Sequence, residues 1–417
     1  MLRRSKGLSK LCLLLASLLF FLSINVSTVE MSFSDSLGSV NRSISQSYMV
    51  HAPIIITNDS ELAAAAINGT GASNDPYIIA NWNITGSPTH GISITGTTKH
   101  FRIENCWIER SNNDGIFVDN VTPGTTTITN NTCNGNDGSG IGLYYSIFST
   151  IVDNTCNSNS DGGVYLWHCD GSILTNNICN SNSMNGIGLY SSDSSNLVKN
   201  TCYSNRWVGI YLSGSGSLAL VNNTCNDNSI YGISLYLCSF SNLINNTCSN
   251  NNDDAIVLRS SGFSTLVNNT CDSNGRSGLY LEFSDNNNIV WNTLLNNGYY
   301  GVSLNLFSDN NIIHHNSFIA NGLEESQAID DGLNNQWYDE TVLEGNSWFD
   351  YSGTDSYLIA GSAGSSDLYP SKTSETSTNS SSSPAFTDAL FLFVRLFLFL
   401  FLFLFLILFV RRHDKSV

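Results

Sequence analysis

Basic residues are scarce: 17 Lys and Arg stand against 34 Asp and Glu in 417 residues, a net charge of −17. Eight of the seventeen (Arg3, Arg4, Lys6, Lys10, Arg395, Arg411, Arg412 and Lys415) lie in the two hydrophobic ends and their flanks. Residues 31–388 therefore carry 9 basic against 32 acidic side chains, net −23. Charge of that sign repels phosphate backbones and anionic membrane surfaces, which excludes nucleic acid as a partner and suits cations, neutral glycans or a high-salt exterior. Histidine (7) and methionine (4) are also few. Long apolar runs occur only at the two ends, so any bilayer-spanning helix is confined there.

Residues 1–22 join a basic start (Arg3, Arg4, Lys6, Lys10) to an apolar run at 11–22. This predicts a signal peptide over residues 1–27 and export of the chain. A second apolar run, residues 389–410, has about the ~20 residues a bilayer helix needs. Arg411, Arg412 and Lys415 follow it at once. Positive charge marks the cytoplasmic side, so the reading is a single-pass transmembrane helix at 389–410 and a cytoplasmic tail at 411–417. The bulk of the chain is then extracellular. Arg395 lies near the outer end of the run, where its side chain can snorkel to the interface. Residues 371–388 are a Ser/Thr-rich stalk without a core-forming pattern. This order of stalk, apolar run and basic end is similar to the tripartite tails that archaeal sorting enzymes remove, with Pro384-Ala385-Phe386 where such tails carry Pro-Gly-Phe.

The middle of the chain repeats every 23 residues. Cys133, Cys156, Cys179, Cys202, Cys225, Cys248 and Cys271 are spaced by that interval, and Leu294 continues the series. Ten residues after each comes a leucine (Leu143, Leu166, Leu189, Leu212, Leu235, Leu258, Leu281, Leu304), with Ile, Val or Leu two places before it. A third apolar column runs Ile151, Leu174, Leu197, Leu220, Leu243, Leu266, Ile289 and Ile312. Short apolar runs of period 2 separated by Asn, Gly and Ser read as strands and turns. No such repeat buries its own apolar face; stacking in register at the ~4.8 Å strand spacing does. The expected fold is all-β, a parallel β-solenoid of 23-residue coils.

Two Asn columns, Asn131 to Asn292 and Asn136 to Asn297, fall at turns, where Asn tolerates the left-handed conformation and stacked amides can bond from coil to coil. A Gly column from Gly140 to Gly301, broken only by Ala255, precedes the Ile-x-Leu strand, and with Gly91 and Gly115 it gives ten Gly/Ala-led coils. Residues 50–90 should form the N-terminal cap and first coil, with a short helix started by Asp59 or Ser60. Residues 91–322 should form the coils, and residues 323–370, rich in Trp and Tyr and without the period, the C-terminal cap.

Runs such as Asn245-Asn246-Thr247-Cys248-Ser249-Asn250-Asn251 followed by Gly or Ala and apolar-x-Leu resemble the repeat of right-handed parallel β-helix proteins. The subgroup is the NosD-type periplasmic copper-binding β-helix domain, in an archaeal-type cell-surface protein. His51-Ala52-Pro53-Ile54-Ile55-Ile56 and Asp75-Pro76-Tyr77-Ile78-Ile79 resemble the start of such domains, and Gly361-Ser362-Ala363-Gly364 through Tyr369-Pro370 their end, so the resemblance covers about residues 50–370. It implies a right-handed pectate-lyase-like solenoid, a fold shared by polysaccharide-cleaving enzymes, glycan-binding surface proteins and members without chemistry; fold does not fix function.

Strand alternation turns Tyr144, Tyr165, Trp167, Tyr190, Tyr211, Tyr236 and Tyr280 outward from the Ile-x-Leu strand. Such a strip is either a self-stabilising aromatic ladder or a platform for sugar rings. Asp253 and Asp254 are the candidate catalytic acids of a lyase or glycoside hydrolase, but no second acidic motif or basic triplet accompanies them, and two vertical ion pairs, Asp253–Arg276 and Arg259–Glu282, account for the same charges. Copper, implied by the resemblance, would need His, Met or thiolate clusters; His314-His315 is the only adjacent His pair, and a one-residue bulge before Asn316 explains it without metal. The Cys column reads as small core filler, because stacked strands hold Cβ atoms too far apart for disulfides. Asn58, Asn68, Asn83 and Asn379 are the preferred N-glycosylation sites. The functional expectation is a membrane-anchored cell-surface protein, a carbohydrate-binding or structural/adhesion module with extracellular glycan or surface-layer components as partners, without cofactor and without catalysis. The alternatives are a β-helix polysaccharide lyase or hydrolase and a copper-binding protein.

Overall fold

The computed structural model describes residues 48–322, 326–353 and 355–373. The expected signal peptide, membrane helix and cytoplasmic tail, and all but the first three residues of the expected stalk, lie outside the described residues, as does Asn379.

Like residues stack on like. Ile141 pairs with Val164 and Leu143 with Leu166, Leu174 with Leu197, and Cys202 with Cys225. The result is a right-handed parallel β-helix. Its Ile-x-Leu strands make a 12-stranded sheet from Ile54–Ile56 to Ala328–Asp330, and the third apolar column an 11-stranded sheet from Tyr77–Ala80 to Ile312–His314. The cysteine column makes a four-stranded stretch and an eight-stranded one, joined by single bridges from Thr132 through Thr155 and Ile178 to Thr201. Twelve strands exceed the ten Gly/Ala-led coils because each expected cap contributes one more turn of sheet. The last strand of all, Ser371–Lys372, pairs with Ser347–Trp348 and belongs to the solenoid rather than to the stalk.

The columns of Ile, Leu, Val and Cys are fully buried along the axis. Each such aliphatic side chain contributes about 1.5–3 kcal/mol by leaving water. The ten cysteines among the described residues are all free and buried. Glycine recurs before the Ile-x-Leu strand because the coils approach closely there. A Cβ on Gly186 would stand 2.7 Å from the Gly209 carbonyl oxygen and 2.9 Å from the Cys202 Cβ.

The corners follow one rule: a residue in the left-handed region, then a buried polar residue that bonds to the next coil. Asn176, Lys199 and Asn222 have φ of 54°, 55° and 57°, and each precedes a ladder asparagine. The left-handed conformation thus belongs to the residue before the ladder Asn, not to the ladder Asn as expected. Freed from that duty, the ladder side chain points inward. The Asn200 backbone N–H and Nδ2 both donate to Asn223 Oδ1 at 3.0 Å, and Nδ2 also donates to the Leu174 carbonyl at 2.9 Å. Asn205 repeats the pattern with Asn228 and the Cys179 carbonyl. Cys169 and Cys238 stand singly in a parallel serine column, where Cys169 N–H donates to Ser192 Oγ at 3.0 Å and Ser215 N–H to Cys238 Sγ at 3.4 Å.

The register gains one residue once. Leu281 pairs with Leu304, but Ile289 pairs with Ile313. The insertion therefore lies in the turn Asn305-Leu306-Phe307, one corner before His314-His315, where it was expected. It also moves the apolar column from Ile312, which is 41% exposed, to Ile313, which is fully buried.

Both ends are closed. Helix Asp59–Ala65 is capped by Asn58, whose side chain accepts the Glu61 N–H at 3.0 Å, so neither Asp59 nor Ser60 is the cap. Leu62 is its buried residue, and Asp59 ties the helix to Thr98. At the other end Trp337 and Trp348 are fully buried. Trp348 stacks between Phe318 and Tyr357 at 4.0 and 3.9 Å.

Asn200→Ala leaves the Asn177 N–H and the Leu174 carbonyl without their partners, and should cost about 2–4 kcal/mol from unsatisfied buried groups. Lys199→Gly, one residue earlier at φ 55°, should be neutral or stabilising by up to about 1 kcal/mol, since only glycine takes that region freely. Urea midpoints of the two variants check the contrast.

Candidate functional site

The outward positions of the Ile-x-Leu sheet carry the strip. Trp167 follows Tyr144 in register, and Tyr190 follows Trp167. The in-between column is Phe117, Gly142, Tyr165, Gly188 and Tyr211. The two glycines convert two columns into one file. A Cβ on Gly142 would meet the Tyr144 ring at 3.5 Å and one on Gly188 the Tyr190 ring at 3.2 Å, so both rings fold across the bare positions. The file then runs His90–Phe117–Tyr144–Tyr165–Tyr190–Tyr211 with centroid separations of 4.3, 5.4, 5.5, 5.1 and 5.6 Å. Trp167 stacks on Tyr190 at 5.8 Å and is 36% exposed. Tyr236 and Tyr280 stand apart from this file: Ser234 and Val257 interrupt the in-between column, and Tyr280 lies under Arg259 at 5.7 Å.

His90, Phe117 and the acids beside them were not anticipated. His90 and Asp114 belong to the less regular first coils, where the 23-residue period gives no guidance. Asp114 Oδ1 accepts the Ser139 N–H at 2.7 Å, and Oδ2 lies 3.5 Å from His90 Nδ1. The Asp114 carboxylate fills space kept open by Gly138 and Gly142, whose Cβ atoms would come within 2.5 and 2.9 Å of it. The Asp114 backbone nitrogen also lies 3.2 Å from His90 Nδ1. Asp119 pairs in register with Tyr144. Burial, with the Asp114 charge second, raises the pKa of Asp161. Burial, then Asp114, Asp161 and Asp119, push the Tyr144 phenol up to about 12.

At the far end the two expected ion pairs are formed. Arg276 lies 3.4 Å from Asp253, and Arg259 lies 2.9 Å from Glu282. Asp254 is 1% exposed, and its Oδ1 accepts the Ser277 N–H at 2.8 Å. Asp114 and Asn185 hold the next coil's N–H groups of Ser139 and Val208 in the same way. Asp254 is thus turned into the stack rather than toward a substrate, and Asp253 is engaged by Arg276. Burial pushes the Asp254 carboxyl up to about 6.

His315 Nε2 lies 2.8 Å from Glu344 Oε2, while its Nδ1 faces His314 Nδ1. The rings of His315 and Trp291 are 4.3 Å apart. Asn58 and Asn68 are exposed and Asn83 is half-buried; their side-chain oxygens accept bonds from Glu61 N–H, Gly69 N–H and Thr85 Oγ1.

The sequence profile of the family described as "Periplasmic copper-binding protein (NosD)" matches residues 29–205, 158–301 and 209–353, which together span most of the chain. The chain belongs to the NosD family. Among solved structures, the A-module of the Azotobacter vinelandii mannuronan C-5 epimerase AlgE6 is similar over 72% of this chain and 83% of its own, at 16% identity and a TM-score of 0.51. The periplasmic alginate epimerase AlgG (13% identity, 72% and 85% covered, TM-score 0.43) and the Dettilon tailspike protein gp208 (12%, 65% and 61%, 0.47) are also similar. At these identities the likeness is one of fold. No curated protein matches the chain significantly.

The copper in the family's description does not fit the residues of this NosD-family chain. Among the described residues no three His, Cys, Asp or Glu side chains group as metal ligands. His314 and Glu344 address opposite nitrogens of His315, so the three cannot converge on one ion. Copper binds thiolates, but every cysteine of the column is fully buried in the core, where burial works against ionisation of each thiol and no copper ion has access. Titration with Cu(I) and with Cu(II) should show no stoichiometric binding, and the double variant His314→Ala, His315→Ala should titrate like the unaltered chain.

Asp254 also yields a pH prediction. Its pKa in the folded chain, about 6, lies above the ordinary aspartate value of 3.8. The protonated form is therefore the favoured one in the fold, and the stability it contributes below pH 4 is lost as pH rises through 6. Asp254→Asn, which keeps the acceptor for Ser277 as Asn185 does for Val208, should stabilise the chain by about 2 kcal/mol at pH 7.5. The gain should vanish by pH 4, as denaturation midpoints at the two pH values would show.

Proposed function

We propose that this NosD-family β-helix is a non-catalytic glycan-binding module of the cell exterior, tethered to the membrane by residues 389–410. The observation that carries the reading is the aromatic file, six rings over five successive pairings of a rigid sheet, with Trp167 exposed beside it. Aromatic rings pack on the apolar faces of sugars, and ring edges with phenol oxygens suit a chain of hydroxyls. Export rests on the apolar N-terminal run, and the tether on the basic-flanked C-terminal run.

The absence of catalysis is supported by how the acids are used. A general acid or base must reach the proton it transfers; Asp254 instead bonds the backbone of the next coil, and Asp253 pairs with Arg276. One observation favours a second reading, a structural envelope component without ligand: the rings of the file face one another, which stabilises the sheet even with nothing bound.

Binding of the full chain to a glycan array separates the two readings. The double variant Trp167→Ala, Tyr190→Ala should lose about tenfold or more in affinity, since a stacked aromatic contributes roughly 1–3 kcal/mol. Unchanged affinity would remove the file from the reading, an array without binders would favour the structural role, and release of new reducing or unsaturated ends would make the protein an enzyme.

A further inference from the structure

We propose that the glycan taken by the aromatic file carries amines rather than carboxylates, and that it lies along the solenoid axis with one sugar per coil. The inference rests on the glycan-binding reading and specifies its ligand.

The direction follows from spacing. Successive centroids from Phe117 to Tyr211 are 5.1–5.6 Å apart. That is about the length of one pyranose in an extended chain, so a glycan running along the file meets an equivalent ring at every sugar. A glycan crossing the sheet would meet one or two rings only.

The charge follows from the outward positions. From Asp119 and Phe117 to Tyr236 and Ser234, no outward residue of the Ile-x-Leu sheet is Lys or Arg. Arg259 enters only at the next strand, where Glu282 holds it at 2.9 Å. The N-terminal end of the file carries Asp119, in register beneath Tyr144, and half-buried Asp161; Asp114, in its glycine-lined space, adds its charge from behind them but is held in the stack by the Ser139 N–H. Burial, with the Asp114 charge second, disfavours ionisation of Asp161, a cost an ammonium group would relieve. A polyuronate would bring one carboxylate per sugar to this end and find no cation to receive it. This separates the chain from its fold neighbours whose names specify alginate or mannuronan.

The test uses the full chain and three hexamers of equal length: β-1,4-glucosamine, its N-acetylated form and β-1,4-mannuronate, titrated calorimetrically at low and at 1 M salt. The glucosamine hexamer should bind about tenfold tighter than the N-acetylated one at low salt, and the margin should close at 1 M salt. The mannuronate hexamer should bind weakest. The double variant Asp119→Asn, Asp161→Asn should lose the amine preference. Equal or tighter binding of mannuronate, or an amine preference that survives the variant, would overturn the proposal and leave the glycan-binding reading standing. Failure of all three hexamers to bind would overturn the proposal, and the glycan array decides separately whether the glycan-binding reading falls with it.

Discussion

The fold depends on a hydrogen bond that has a direction. In each ladder the backbone N–H and side-chain amide of one asparagine donate to the Oδ1 of the asparagine a coil later, as from Asn200 to Asn223. A buried backbone group left without a partner is costly, so a polar ladder must begin with a donor and end on an acceptor. The Asn131 ladder begins at the Cys106 N–H and ends at the Asp367 carboxylate, which accepts the Asn346 N–H. The Asn136 ladder begins at the Ser111 N–H and ends at Gln327 Oε1. The C-terminal cap is therefore not merely an apolar lid. Asp367 also accepts the Trp348 indole N–H, so the acid that ends one ladder holds an aromatic that closes the core, and Asp330 accepts the indole N–H of Trp337.

Because corners and core carry the folding duty, the outward positions of the Ile-x-Leu sheet are released from it. Glycine at 142 and 188 and tyrosine at 165 and 211 occupy equivalent outward places in successive coils, and Tyr144, Trp167 and Tyr190 form the outward column beside them. The sheet beneath them is fixed in spacing by its ladders, so the separations along the aromatic file are set by the backbone. A regular array of rings on a stiff support is what an extended repeating polymer can match, and that connects the interior amides to the proposed function.

Much of this was legible in the sequence. A strict period of 23 in Cys, Leu and Asn gave the solenoid, its inward columns and the outward aromatics. The left-handed corners were not, because two adjacent asparagines, such as Asn222 and Asn223, look alike while only the first takes the positive φ. The slipped register was hidden by an isoleucine pair: Ile312 keeps the period, yet Ile313 is buried. Large apolar residues at left-handed corners were equally unforeseen. Phe240, Phe263, Phe283 and Phe307 have φ between 51° and 64° and are exposed, at positions where Asn or Gly is favoured; stacking of Phe240 on Phe263 at 5.2 Å and of Phe283 on Phe307 at 5.5 Å offsets that cost. The single file of rings required glycines at every second outward place, which strand alternation alone does not reveal.

The central claim is that the working surface is the aromatic file and not another exposed apolar region of the solenoid. Hydroxyl-radical footprinting of the full chain, with and without the glucosamine hexamer, tests this most directly. The account predicts protection at Tyr144, Tyr165, Trp167 and Tyr190, with Phe240, Phe263 and Phe283 unchanged. Protection of those corner phenylalanines with the file unchanged would contradict it.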